Sequence, residues 1–203
     1  MIDFDFEKEF SQDFEVPINI ASLDKRIQKN TEDWCGLMAE HFRLFAEAYV
    51  HAGDIIFYDY ISFLSDEKRR KEMPSYEINM FGVIYRLYHH ALEMALKSLM
   101  YNVNIQPQKE HHFSEFINII RNNYDVSGKM QQYFDYIEKF DKYSNGSQTG
   151  RYPTDTKGNV IGRTDNGYIV LGGNDGGIAT MVFHIHEIFT ELFPNLKIKE
   201  GGN

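Results

Sequence analysis

Arg86, His90, Glu93 and Lys97 follow one another at steps of four, three and four residues, the spacing that lines side chains along one face of an α-helix. An arginine can hold a phosphate through two parallel hydrogen bonds, and a histidine can move a proton near neutral pH. With His89 beside them, these groups have the chemistry of metal-free RNA cleavage: one activates a 2′-hydroxyl and another stabilises the charged phosphorus centre. The same line also reads as a solvated polar seam, in which Glu93 and Lys97 form a four-apart pair worth about 0.3–0.5 kcal/mol. Charge pairing along a helix is the simpler account, and dimerisation across this helix would favour the chemical one.

The element that must position the line is a helix over 75–102. Pro74 stops what precedes it, and Ser75 is placed to cap its first turn. Met80, Ile84, Leu87, Ala91 and Met94 form one apolar stripe, and Phe81, Tyr85, Tyr88, Leu92, Leu96 and Leu99 an adjoining one. Together they leave only the narrow polar line uncovered, so the spacing predicts a central helix with neighbours on several sides.

Other helices are expected around it. Asn30-Thr31-Glu32-Asp33 opens a long one with an apolar stripe of Trp34, Leu37, His41, Leu44, Phe45, Ala48, Ala52, Ile55 and Ile56. Gly53-Asp54 is expected to kink or interrupt it. Residues 65–74 read as a charged connection, in which Lys68-Arg69-Arg70-Lys71 is a solvated helix end. His111-His112 leads into a helix with Phe116, Ile117, Ile119 and Ile120, and Ser127-Gly128 into another with Met130, Tyr133, Phe134, Ile137 and Phe140. Helices on short links predict a mainly-α, up-and-down bundle. Val160-Ile161 and Tyr168–Leu171 flank Asp165-Asn166-Gly167 as a small β-hairpin, and a C-terminal helix runs from Ile178 to Phe193 before Pro194. The expected divisions are an N-terminal arm over 1–31 carrying Phe4, Phe6, Phe10 and Phe14, a bundle over 32–156, and a hairpin plus helix over 157–203 packed on it.

Composition narrows the function classes. The net charge is −9, from 21 basic and 30 acidic residues, which argues against broad clamping of a nucleic-acid backbone while allowing a local pocket. The single cysteine, Cys35, forbids an intrachain disulfide and a multi-cysteine zinc site, and is expected to be a buried small hydrophobe. No apolar run approaches the roughly 18 residues of a membrane span, and the acidic start lacks the order of a signal peptide, so a cytoplasmic protein without a membrane partner is expected.

Tyr88-His89-His90-Ala91-Leu92-Glu93-Met94-Ala95-Leu96-Lys97-Ser98-Leu99, then His112-Phe113-Ser114-Glu115-Phe116-Ile117, then Asp141-Lys142-Tyr143-Ser144 leading to Arg151-Tyr152-Pro153-Thr154, resemble the HEPN superfamily of α-helical bundles over roughly residues 32–156. The resemblance implies a prokaryotic defence or toxin–antitoxin setting. It also implies one of two activities. Many members are metal-independent ribonucleases whose Arg-x(4–6)-His motifs meet across a dimer, and non-catalytic members bind nucleotides, nucleic acids or proteins. Here three residues separate Arg86 from His90, seven separate Arg43 from His51, and Arg121-Asn122-Asn123 reaches no histidine. The expectation is therefore a non-catalytic binding module for RNA, a nucleotide or a partner protein, acting as a homodimer or a subunit of a larger complex. The alternative is a homodimeric endoribonuclease using Arg86 and His90, or His89.

Arg151-Tyr152 joins the candidate ligand site, because Pro153 holds Tyr152 extended and Arg151 can clamp an anion or pair with Glu93. His184 and His186 point roughly 200° apart on a helix, so they do not share a metal; His184, Glu187 and Glu191 share a face read as solvated. The glycines of 172–177 lack the Lys-Ser/Thr pair of a P-loop. No metal or cofactor is expected.

Overall fold

In the computed structural model of the chain, the described residues are 31–72, 76–107, 112–143 and 177–199. The chain divides into two compact units, Met1–Trp34 and Cys35–Asn203. Of the first, only residues 31–34 are described.

Two long helices form the centre: α1, Thr31–Ser65, and α3, Tyr76–Asn102, with the short α2, Glu67–Glu72, between them. Asp66 starts α2, its Oδ1 accepting the backbone N–H groups of Lys68 and Arg69 at 3.0 Å each, which is N-cap geometry. Part of the expected charged connection is thus helical, held by its own ion pairs such as Lys71 to Glu67 at 2.7 Å and burying no side chain. The two long helices run antiparallel. Ser98 donates to the Ala39 carbonyl at 2.7 Å, the Tyr49 and His90 rings lie 5.4 Å apart, and the Tyr88 hydroxyl reaches Asp54 at 2.6 Å.

The expected break at Gly53-Asp54 does not occur, and α1 runs through it. A Cβ built on Gly53 would stand 2.9 Å from Cζ of Tyr88, so the missing side chain lets the tyrosine ring lie against the α1 backbone. The apolar stripe read along α1 also lies elsewhere than expected. Leu37, Leu44, Phe45 and Ile55 are exposed, while Ala39, Ala46, Gly53, Tyr60 and Phe63 face the core.

Helix α3 is the central element that its two stripes predicted, burying Ile84, Tyr85, Tyr88, Leu92, Leu96 and Met100. It ends where Asn104 takes φ +58° and the Ile105 N–H returns to the Met100 carbonyl at 3.0 Å, a left-handed stop that asparagine tolerates. Next come α4, Phe113–Asn123, and α5, Lys129–Tyr143. They pair antiparallel: the Phe113 amide meets Asp141 at 3.2 Å, and Arg121 meets Glu138 and Asp135 at 2.8 and 2.9 Å. Against α3, however, α4 runs in the same sense. His89 stacks on Phe113 at 4.4 Å near its start, and the Tyr124 hydroxyl meets the Leu99 carbonyl at 2.8 Å beyond its end. The bundle winds up and down except at the step from α3 to α4.

Helix α6, Gly177–Glu187, continues through a π turn over Ile188–Leu192 and a 3₁₀ turn over Phe193–Asn195. Met181, Val182, Ile185, Ile188 and Leu192 complete the apolar core of the described residues. The chain then forms β2, Lys197–Ile198, antiparallel to β1, Tyr124–Asp125, with Tyr124 opposite Ile198. The fold is therefore mainly α, with a small two-stranded sheet and a C-terminal helix. This sheet ties the end of α4 to the segment after α6, a pairing absent from the sequence reading. The expected hairpin over 160–171, the aromatic arm and Ser75 lie outside the described residues. No described helix is long and apolar enough to cross a membrane.

Candidate functional site

The predicted polar line is a connected chain of hydrogen bonds on α3. Nη2 of Arg86 lies 2.9 Å from Nε2 of His90, Nδ1 of His90 lies 3.3 Å from Glu93, and Lys97 donates to Glu93 at 2.6 Å. A guanidinium can only donate, so the bond casts Nε2 as the acceptor and assigns the ring proton to Nδ1, which donates to Glu93. Both nitrogens of His90 are thereby engaged. The solvated seam expected from sequence is instead largely sunk: side-chain exposure is 5% for Glu93, 12% for Lys97 and 23% for His90. Tyr49 of α1 lies beside His90 and the Phe116 ring of α4 lies 5.9 Å beneath Lys97. The line therefore lies between aromatic rings from both flanking helices. Lys97 pairs directly with Glu93 and Arg86 is linked to it through His90, in a low-dielectric setting where charged groups act strongly on one another.

His89 faces the other way. It is buried, stacks on Phe113, and its Nε2 donates to Oδ1 of Asp141 at 3.0 Å. Oδ2 of the same carboxylate accepts the Phe113 N–H at 3.2 Å. The residue at the N-cap of α4, exposed His112, makes no capping bond of its own. Asp141 therefore does from α5 what a cap does from within a helix, while pinning an imidazole of α3. This places His89 in the framework rather than with His90.

A second carboxylate missed by the sequence reading, Asp54, joins three helices. Its Oδ1 accepts from the Tyr88 hydroxyl at 2.6 Å and from Nε2 of His186 at 2.7 Å. Burial, reinforced by the Asp54 carboxylate, holds the Tyr88 hydroxyl well above the usual tyrosine range. The signal available in sequence was the Gly-Asp pair inside a helical pattern, a combination that costs helix propensity and so points to a tertiary contact.

The remaining candidates are structural. His184 pairs with Glu187 at 3.1 Å, and Glu191 is held by Lys129 and by Tyr133 at 2.9 Å. The Lys129 ammonium keeps the Glu191 carboxyl below its ordinary range. Arg121 bridges two acids of α5. Cys35 is part-buried rather than fully enclosed. Among the described residues, no three His, Cys, Asp or Glu side chains gather so as to hold a metal ion. A shallow concavity lined by Ser65, Asp66, Glu67, Lys68, Lys71 and Glu72 lies where α1 meets α2, away from the α3 line, and its charges pair among themselves. Arg151 and Tyr152 lie outside the described residues. No family model, curated protein or solved structure matches this chain.

Proposed function

We propose that this chain is a non-catalytic, HEPN-like binding module of a bacterial defence or toxin–antitoxin type system. It works in the cytoplasm as a homodimer or as a subunit of a larger complex. Its ligand is phosphate-bearing, an RNA or a nucleotide, met along Arg86, Glu93 and Lys97, with Arg151 and Tyr152 contributing from the later loop. What supports binding over cleavage is the bonding of His90: its Nε2 lone pair is taken by Arg86, so a base for a 2′-hydroxyl is not at hand. What supports a phosphate is the setting of Arg86 and Lys97 on one line of α3, where a guanidinium and an ammonium can each donate to phosphate oxygens, with the part-buried Tyr49 ring beside His90.

The test uses a fluorescent RNA oligonucleotide and a nucleoside triphosphate, each titrated by anisotropy or displacement with chelator present. Parent protein is expected to bind at least one and leave the RNA intact. Arg86→Ala is expected to weaken binding roughly 10- to 100-fold, the value of a charge-assisted hydrogen bond. Cleavage by the parent that Arg86→Ala and His90→Ala both abolish would establish the ribonuclease instead. Failure to bind either probe would turn the search to a protein partner.

A further inference from the structure

The face of α1 turned away from the core carries its own repeat. Leu37, His41, Leu44, Ala48, His51, Ile55, Tyr58 and Ser62 alternate steps of four and three through the helix. That is the 3.5-residue spacing of a seam between two helices. All eight positions are exposed, with Leu44 at 49%, Ile55 at 55% and Tyr58 at 70%. The core residues Ala39, Ala46, Gly53 and Tyr60 fall on the opposite side with their own seven-residue spacing. A 35-residue helix therefore presents two packing stripes, of which the other described residues cover one.

We propose that the outer stripe of α1 is a self-association surface, on which a second copy of this chain lays its own α1 antiparallel. The register follows from the sequence. With the two-fold axis between Ala48 and His51, Leu44 meets Ile55 of the second copy, His41 meets Tyr58, and Ala48 meets His51. Each layer then matches an apolar pair, an aromatic pair or a small residue against a large one. A parallel arrangement would instead set histidine on histidine at two levels. The flank supports the same partner, because Arg43 bonds Glu40 at 2.8 Å and also Glu47, so those acids arrive partly neutralised. His41 and Phe45 already stack edge to face at 5.0 Å on this surface. A seam from Leu37 to Ser62 is about 39 Å long. A standard specific interface takes on the order of 800 Å² from each partner, a requirement that a seam of this length is suited to meet.

The surface is distinct from the candidate ligand site and bears on it. Helix α3 packs on the inner side of α1, so in this dimer the two α3 helices are separated by three helix-to-helix steps, about 25–30 Å. Two His90 side chains then serve two separate sites rather than one shared cleft.

Sedimentation of the full chain at micromolar concentrations, beside Leu44→Lys, Ile55→Glu and the double variant, tests the register. Parent is expected at twice the 23.8 kDa chain mass. Each single substitution is expected to weaken association by on the order of 100-fold, the size of an interface hot spot. L44K/I55E is expected to recover most of it, because in the antiparallel register the new charges face one another across the axis. Far-UV circular dichroism is expected unchanged, since both positions are exposed. A monomeric parent, a dimer indifferent to both single substitutions, or a double variant no tighter than the single ones would overturn the proposal. A monomer whose seam amides are protected from hydrogen exchange would assign the stripe to another part of the same chain instead.

Discussion

Replacing Asp141 with alanine is expected to lower stability by about 3 kcal/mol, more than a typical substitution. The carboxylate serves two buried donors at once, the His89 imidazole at 3.0 Å and the first amide of α4 at 3.2 Å. Removing it takes a charge-assisted bond from each, and a buried donor stripped of its partner costs about 1–3 kcal/mol. The loss also strikes three helices together, because His89 lies on α3, Phe113 starts α4 and Asp141 ends α5. Asp141→Asn keeps an acceptor for one donor and is expected to lose about half as much. Urea denaturation reads both. A change below about 0.5 kcal/mol for the alanine variant would mean the bridge contributes little.

Gly53→Ala is expected to destabilise, although helix propensity alone argues the reverse. Alanine is favoured over glycine inside a helix by about 0.8–1 kcal/mol. Against this, the new methyl would sit 2.9 Å from Cζ of Tyr88, and that ring is fully buried with its hydroxyl bonded to Asp54. Neither ring nor backbone can yield without loosening that bond, and overpacking of this kind costs about 1–3 kcal/mol. Set against the propensity gain, the expected net loss is up to about 2 kcal/mol. Gly36, on the same helix, has nothing within 4 Å of its notional Cβ. Gly36→Ala is therefore expected to gain up to about 1 kcal/mol. Matching thermal shifts of the same sign for the two variants would refute the close-packing argument.

These two cases mark where sequence was legible and where it was not. The double apolar stripe of α3 announced a central helix because periodicity is a local property, and the polar line stood out as what the stripes left over. The same periodicity misled on α1, where the outer stripe of Leu37, Leu44 and Ile55 is bulkier than the inner one of Ala39, Ala46 and Gly53. Small residues mark the close-packed side, since the helix that approaches most nearly leaves least room. Asp141 was invisible because its His89 partner lies 52 residues away in sequence and nothing local marks it as bridging helices, whereas Asp54, 132 residues from His186, left only its Gly-Asp pair as a local trace. The β1–β2 pairing is likewise long-range and only two residues deep. Reading Glu93 as solvated failed for a related reason: whether a polar line is covered depends on Tyr49 and Phe116 from other helices.

Arg86 is expected to hold His90 in a single tautomer and so to turn the line toward binding. Long-range proton–nitrogen correlation of the imidazole rings tests it, with the His90 signals assigned by their loss in His90→Gln. The expected result is a proton on Nδ1 and an unprotonated, hydrogen-bonded Nε2, with Arg86→Ala releasing that preference. A His90 that carries its proton on Nε2, or that is unchanged by Arg86→Ala, would contradict it.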